Sequence, residues 1–486
     1  MCSSDLLTPE TGERLLAEFA ESADELREKG VRFYFAGTPP VAERASAMGF
    51  FNTVFDGSET VEDVINSLRD KPAGSSAQDA YPSKTLERIA WKAPYPILRH
   101  HFGLPTMQAT LEGIRKIAEA RVIDVISLGV DQDAQENFFH PDRQSPRKFG
   151  AGGVPVRTPE DYRALYEASQ AGNYPLLRTY SGTDDFIRLA EVFMGTIHNA
   201  WCAIPLFWFN AMDRRGPWDL AGSIREHQKV MAWYGERGVP VELNEPHHWG
   251  MRDAPDVVCV VSAYLAAYNA KANGVKDYIA QLMFNSPPGL SDAMDLAKMA
   301  AMLRIIAPLE DENFRILRQT RTGLLSYPLQ PSASRAHLAA SIYLQMAVRP
   351  HIVHIVGHTE ADHAATADDI IEAAQMARRS IENALRGPDM LADPAVQRRI
   401  HTLVQDAHLT LDAIRSLAGT ESEDPLTDAE VLTEAVKRGI MDAPHLRNNP
   451  FARGEIRTSF INGACVTVDE RGREIKEQDR LKALLA

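Results

Sequence analysis

Three short runs carry side chains able to grip anions, move protons or ligate metals: ILRHHFG (97–103), NEPHHWG (244–250) and GHTEADH (357–363). Arg99 in the first run, and Arg178 in LLRTY, suit a carboxylate, because a planar guanidinium offers two parallel hydrogen bonds to its two oxygens. The alternative is that each arginine pairs with a neighbouring Asp or Glu. His358, Glu360 and His363 do not have the HExxH spacing that sets two imidazoles on one helical face, so a metal there would need ligands from separate strands. We assign no metal ligand and read these residues as hydrogen-bonding groups for a polar substrate or cofactor. The sequence has no GxSxG elbow, no P-loop and no G-x-G-x-x-G, so acyl transfer, NTP hydrolysis and dinucleotide redox have no motif behind them.

These residues need a scaffold that brings them together. Between about 90 and 365, short β-rich runs alternate with amphipathic helical stretches. We read eight strands: YPILRHH, VIDVISLGV, YPLLRTY, NAWCAIPLFWF, VPVELNE, KDYIAQLMFN, GLLSYPL and PHIVHIVG. Near-continuous apolar strands separated by helices imply a parallel sheet covered on both faces. Eight such units fit a (β/α)8 TIM-type barrel, with an open doubly wound sheet as the alternative. In a barrel the working residues sit at the C-terminal ends of the strands. That rule selects Arg99, His100, His101, Asp131, Gln132, Arg178, Tyr180, Asn210, Asn244, Glu245, His247, His248, Asn285, Tyr327, His358, Glu360 and His363. Residues 1–70 form a partial α/β unit, 71–89 a linker, 90–420 the barrel and 421–486 a C-terminal extension. The extension has helices, a cap at Thr427 and a hairpin turning at Asn462-Gly463.

Composition bounds the partners. Hydrophobic residues make up 44% of the 486 and charged residues 24%, as in globular proteins. No apolar stretch is long enough to span a bilayer and no secretory signal begins the chain. The four cysteines form no CxxC pair, which fits a reducing, cytoplasmic setting. A net charge of -14 without a basic tract argues against nucleic acid.

Residues 2–68 resemble the C-terminal half of a cobalamin-binding domain, with the flavodoxin-like strand–helix–strand pattern. Ser4-Asp5-Leu6 matches that family's S-x-L, Ala36-Gly37 stands near its Gly-Gly, and Gly57 falls where the cofactor's nucleotide tail approaches the backbone. The resemblance thus implies that Ser4, Leu6, Ala36, Gly37 and Gly57 flank cobalamin. The family's D-x-H-x-x-G, whose histidine coordinates cobalt, is absent from the sequence. The expectation is that an upstream half-domain or a small companion subunit supplies it, or that the unit no longer binds cobalamin.

The barrel resembles the large (epsilon) subunit of glutamate (methylaspartate) mutase. LLRTYSGTDDFIRLAEVF, GVPVELNEP, HTEADHAATADDIIEAAQMARRSIENAL and GIMDAPHLRNNPFARGEIR carry the likeness. It implies that Arg99 and Arg178 hold a substrate carboxylate and that Glu360 contacts the adenosyl ribose or accepts a proton. That family's remaining substrate arginine falls near Phe138, its amine-binding glutamate near Ala203 and its lysine near Gly357. These departures imply a substrate other than glutamate, with one carboxylate or with its polar end elsewhere. The resemblance therefore implies an adenosylcobalamin-dependent radical isomerase, with a homodimer of barrels as its assembly. Glu360, His358 and Arg178 are assigned to catalysis. Arg99, Arg178, His100, His101, Tyr180, Asn210, Asn244 and His247 are assigned to substrate binding. The competing classes are a corrinoid-dependent methyltransferase, a cobalamin-independent barrel enzyme and a non-catalytic subunit.

Overall fold

In a computed structural model, which describes residues 9–57, 59, 64, 67–68, 81–420 and 422–486, the chain divides into two units between Tyr81 and Pro82. The first unit begins with a helix, Pro9–Glu28, followed by β1 (Tyr34–Ala36), a helix (Pro39–Ala47) and β2 (Thr53–Phe55). The two strands pair in parallel, Tyr34 opposite Thr53. Leu16, Ala23, Ala42, Ala45, Phe50 and Phe55 are the unit's buried residues among those described, and Phe50 joins Phe19, Phe33 and Phe51 in an aromatic cluster with ring centroids 5.2 to 6.3 Å apart. This is the strand–helix–strand pattern that the sequence implies. Residues 1–8 and 71–80 lie outside the described residues.

The second unit contains eight parallel strands. These are β3 (Ile97–Phe102), β4 (Val125–Leu128), β5 (Leu176–Arg178), β6 (Cys202–Ile204), β7 (Val241–Leu243), β8 (Asp277–Phe284), β9 (Arg315–Thr322) and β10 (Ile352–Ile355). They follow one another around the sheet in chain order, with β10 returning to pair with β3. No ladder joins β5 to β6, but two backbone bonds cross that seam: Ala200 N to Leu177 O at 2.9 Å and Ser181 N to Ala203 O at 3.3 Å. Asn199 reinforces it by accepting from Thr179 N. The architecture is a TIM-type (β/α)8 barrel, as the alternation of apolar runs and helices requires.

Strand alternation sorts the barrel side chains into an outer face and inner layers. The outer residues, such as Leu98, Ile126, Leu243, Leu282 and Val353, pack under the helices. The lowest inner layer is an apolar plug of Ile97, Val125, Trp201, Ile279, Leu317 and Ile352. Leu86 and Ile89 of the helix Thr85–Lys92 pack against this plug, so residues 85–89 are helical where the expected linker would end. The crossover helices carry strong start signals. Thr106 caps Met107–Glu119, and Thr366 with Asp369 forms a capping box on Ala367–Leu385.

Two local expectations need correction. Residues 323–329 are not a strand: Leu324–Ser326 is a 3-10 turn, and Leu325 and Leu329 are exposed. The strand is Arg315–Thr322, whose charged and polar residues hide it from a search for apolar runs. In the C-terminal part the cap is Asp428, one residue beyond Thr427; its carboxylate accepts from Glu430 N and Val431 N. The hairpin pairs Thr458–Ile461 with Ala464–Thr467 through Asn462 and Gly463, both at positive φ. Asp442 pins the loop before it, accepting from the amides of Ala443, Gly454, Glu455 and Ile456.

Two glycines at the upper rim behave differently. A Cβ on Gly103 would lie 1.9 Å from Gly129 O, whereas a Cβ on Gly129 would meet nothing closer than 3.7 Å. Gly103→Ala should therefore cost about 1–3 kcal/mol or more through forced backbone shifts, and Gly129→Ala much less. Urea unfolding followed by tryptophan fluorescence reads the barrel unit alone, because all six tryptophans lie beyond residue 90. Equal losses for both variants would contradict this account.

Candidate active site at the barrel mouth

Above the apolar plug the barrel interior turns polar. Glu242 on β7 is fully buried and is the acceptor of the layer. Its Oε2 accepts from Arg99 at 3.2 Å, Arg178 at 3.0 Å and the Trp201 indole at 2.6 Å, and its Oε1 accepts from Gln281 at 2.9 Å. Arg99 also donates to Ser127 Oγ, Gln319 Oε1 and His101 Nε2. Six strands thus place one side chain each in a single hydrogen-bonded sheet of polar atoms. Burial alone would raise the Glu242 carboxyl, but Arg178 and Arg99 outweigh it and bring it down to about 2. Burial and then the neighbouring Arg178 pull Arg99 down to about 9, still charged at neutral pH.

The layer above is the mouth. Arg321 of β9 has no carboxylate within ion-pair reach among the described residues, and its buried Nε has no hydrogen-bond partner. The same holds for Nε and Nη1 of Arg178. The Arg178 guanidinium lies 4.4 Å from the Tyr180 ring centroid, and His101 stacks between Tyr180 at 5.7 Å and His354 at 4.8 Å. Burial pushes the Tyr180 phenol up, yet Arg178, Arg99 and Arg321 together hold it below its usual value. Burial first, and then arginines of this cluster, hold His101, His247 and His354 well below the ordinary imidazole range; for His248 the neighbouring His247 follows burial. Around Glu242 there are therefore three guanidiniums to one carboxylate, with the imidazoles of His101, His247, His248 and His354 held neutral beside them. Such an arrangement attracts an anion in a poorly screened setting.

The sequence-assigned residues divide. Arg99, Arg178, His101 and Tyr180 meet in the mouth and its supporting layer, and Asn244 and His247 follow directly on β7. His100 lies 3.3 Å from Glu360, which also accepts from Gly357 N. Others serve the scaffold. Asp131 caps a short helix and pairs with Arg157, and Gln132 donates to Glu136. Asn210, assigned to substrate binding, is instead spent on Phe207 O, Ser223 Oγ and Met212 N. Glu245 accepts from Leu206 N, Phe207 N and the indoles of Trp208 and Trp249. Asn285 accepts from Ser341, and Tyr327 donates to Val356 O. His358 lies 3.5 Å from Glu372, while His363 is exposed beside Asp362. His358, Glu360 and His363 therefore form no metal cluster. His140, Asp184 and Asp185 bring donor atoms within 4.8 Å of one another, but His140 and Arg188 already pair with Asp185. A cavity of about 1030 Å³ in the C-terminal part is lined by Arg453, Arg457 and Arg480, which bond to Glu455, Glu470 and Glu477 respectively.

Sequence reasoning missed Glu242, Gln281, Gln319, Arg321 and His354. Gln281, Gln319, Arg321 and His354 each lie two residues from an inward-facing neighbour on their own strand, and Glu242 lies two before Asn244; that period of two is the signal that would have found them. The cobalamin-side residues belong to the first unit. Ser4 and Leu6 lie outside the described residues. Ala36 ends β1 and Gly37 follows it, and Gly57, at φ +94°, follows β2 with open space where a Cβ would be. Over Gly37 that space is taken by the Phe35 ring, 2.6 Å from the Cβ position. With no cobalt-coordinating motif in the sequence and Phe35 over one of its three described small-residue positions, this chain does not fit cobalamin by itself.

No protein-family model matches the chain, and no curated protein matches it. Among solved structures, a truncated form of 3-deoxy-D-arabino-heptulosonate 7-phosphate synthase from Thermotoga maritima is similar over 60% of this chain and 88% of that chain, at 14% identity and a TM-score of 0.35. A likeness of that size says nothing about chemistry. Among the described residues no helix is long and apolar enough to cross a membrane.

Two predictions follow from the charge balance. Glu242→Gln leaves two buried guanidiniums without a counter-charge and should cost about 3–5 kcal/mol in urea unfolding; a loss below ~1 kcal/mol would mean the arginines are compensated elsewhere. The second concerns pH. His101, His227, His247, His248 and His354 are held neutral by burial. Each gains a proton on unfolding below about pH 6.5, so stability present above that pH is lost as the pH falls. Glu245, pushed up to about 7, and Asp406, pushed up to about 6, both by burial, work in the opposite sense below those values. Five imidazoles against two carboxyls should make the unfolding free energy fall, from pH 6.5 to 5, faster than the ~1.4 kcal/mol per pH unit of a single proton. A flat profile would contradict neutral imidazoles.

Proposed function

We propose that the barrel is the catalytic unit of an enzyme acting on a small carboxylate-bearing substrate, held in the mouth by Arg178 and Arg321. One observation carries this reading: Arg321 and the free edge of Arg178 present buried donors, above a layer in which one glutamate already serves two arginines. Excess positive charge in a low-dielectric mouth is costly unless an anion completes it. In this reading the anion turns its oxygens toward the Arg321 Nε and the Arg178 Nε–Nη1 edge. Tyr180 and the neutral imidazoles of His101 and His354 supply further hydrogen-bonding atoms, and the walls keep water out.

Within this proposal the sequence resemblance selects the class: a cobalamin-dependent radical isomerase, a mutase, assembled as a dimer of barrels. Because this chain does not fit the cofactor alone, the cobalt-coordinating histidine belongs to a companion polypeptide bearing D-x-H-x-x-G. One observation favours a second reading, a barrel enzyme without a corrinoid: the Phe35 ring occupies the space above Gly37.

Two measurements test these levels separately. In a thermal-shift and calorimetric screen of small mono- and dicarboxylates, binders should emerge. Arg321→Gln should weaken the best of them about tenfold or more, the worth of a charge-assisted contact, without lowering the stability of the unliganded protein. If no carboxylate binds, the anion site is wrong. Gel filtration with adenosylcobalamin and a D-x-H-x-x-G protein should carry cobalt absorbance with the barrel chain. If it does not with any such companion, the mutase class is wrong and the corrinoid-free reading stands.

A further inference from the structure

His100 and Glu360 meet where β3 and the loop after β10 adjoin, and the hydrogen bonds around them place protons. His100 Nδ1 lies 2.6 Å from the His101 carbonyl oxygen. A carbonyl only accepts, so Nδ1 carries a hydrogen. His100 Nε2, in a side chain 1% exposed, lies 3.3 Å from Glu360 Oε1. Glu360 Oε1 also accepts from Gly357 N at 3.1 Å. With Nδ1 committed, a neutral ring would turn its Nε2 lone pair on a carboxylate oxygen, with no other hydrogen-bond partner for that buried atom. A proton on Nε2 removes the conflict.

We infer that His100 and Glu360 are the proton-carrying pair of the mouth: His100 Nε2 stores a proton that Glu360 delivers to the bound substrate. This rests on the reading of the mouth as a substrate site. Glu360 suits delivery because its carboxyl is 23% exposed while His100 is enclosed. The groups facing the pair include His101 on the same strand, His358 beside Glu360, and Tyr327; burial holds both imidazoles below their ordinary range and pushes the Tyr327 phenol up. His358 faces a carboxylate of its own, Glu372 at 3.5 Å, so His100 is the ring set against Glu360. Gly357 keeps the approach clear: a Cβ there would lie 2.9 Å from His100 Nε2 and 3.8 Å from Glu360 Oε1.

The step balances as a relay of one proton. The Nε2 proton passes to the Glu360 carboxylate, and the carboxylic acid then gives it up to a substrate oxygen that gains negative charge. The pair is left one proton short, and water recharges it through the exposed carboxyl. The contact falls short of hydrogen-bond geometry without substrate, as acid–base contacts often do before they tighten around a ligand. The matching substrate class is a carboxylate with a carbonyl or hydroxyl oxygen at the reacting end. Glu360 would touch the substrate, whereas His100 acts through it.

The test reads protons directly, with no substrate needed. The full chain is labelled with 15N-histidine, and His100→Gln identifies the His100 signals. At pH 7 both His100 nitrogens should carry hydrogen. Glu360→Gln should remove the Nε2 proton and leave the Nδ1–H ring, and Gly357→Ala should do the same by crowding the contact. A bare Nε2 in the unaltered chain, a hydrogen on Nε2 with a bare Nδ1, or a pattern indifferent to Glu360→Gln would each overturn the assignment. Exposed His401 serves as the internal reference that the variants remain folded and unshifted elsewhere. Because carboxylate binding is measured separately, failure of the pair leaves the anion site standing, and failure of the anion site leaves the proton count unaffected.

Discussion

A single buried carboxylate holds the interior of this barrel together, and it is outnumbered. Taking a guanidinium out of water costs several kcal/mol, repaid only by a close counter-charge with its hydrogen bonds satisfied. Glu242 meets that demand for Arg99 and Arg178 at once, using both oxygens and help from Trp201 and Gln281. Every other feature of the mouth follows from this. The glutamate is saturated, so nothing in the layer answers Arg321 or the outer edge of Arg178. Burial first, and the positive surplus after it, keep His101 and His354 uncharged, and the arginines draw the buried Tyr180 phenol toward ionisation.

Such an interior needs a dry floor. The plug of Ile97, Val125, Trp201, Ile279, Leu317 and Ile352 provides it, closed from below by the helix Thr85–Lys92. Trp201 belongs to both layers. Its ring is part of the apolar plug, while its indole nitrogen donates upward to Glu242 and its face lies 5.6 Å from Arg99 and 5.8 Å from Arg178. A phenylalanine there would preserve the plug but take one donor from the glutamate that both arginines share. Polar and apolar layers are thus coupled through one side chain, and the stability of the fold and the charge state of the mouth are not separable quantities.

How much of this was legible depended on which face of each strand a residue occupies. The barrel was readable because the outward faces of most strands are runs of Val, Ile and Leu, as helix-covered strands must be. The strand Arg315–Thr322 was not, since above Leu317 its inner positions are Gln319 and Arg321, and apolar content was the signal sought. With that strand lost, the arginine that most defines the mouth was lost too. Glu242 was hidden differently: it sits inside VPVELNE, two residues before Asn244, and only the period of two marks it as inward. The opposite error came from Asn210 and Asp131. Polar residues at strand ends also terminate strands and cap helices, and a rule that selects by position cannot separate those duties from chemistry. Arg99 and Arg178 were open to both readings, carboxylate binding or pairing with an acid. They pair with Glu242, and the free edge of Arg178 is what extends to a substrate in the proposed reading.

The placement of the third guanidinium bears on what such a site would accept. The resemblance puts an arginine near Phe138, in the loop after β4, but Phe138 is buried against Phe139 and Tyr162 and holds no charge. Arg321 comes from β9, which is separated from β4 in the sheet by β3 and β10. Moving a fixed positive charge by that much around a ring of eight strands does not weaken anion binding in general; it re-aims it. A substrate gripped by Arg178 and Arg321 lies across the mouth along a different line from one gripped through the β4 loop. In the proposed reading, its reacting end then turns toward the edge where β10 meets β3, the edge at which His100 and Glu360 stand. In the proposed reading, Phe138 and Gly357 on one side, and Arg321 and the His100–Glu360 contact on the other, belong together: the mouth draws its further positive charge from β9 and not from the β4 loop, and Gly357, where a Cβ would lie 2.9 Å from His100 Nε2, leaves room for that imidazole.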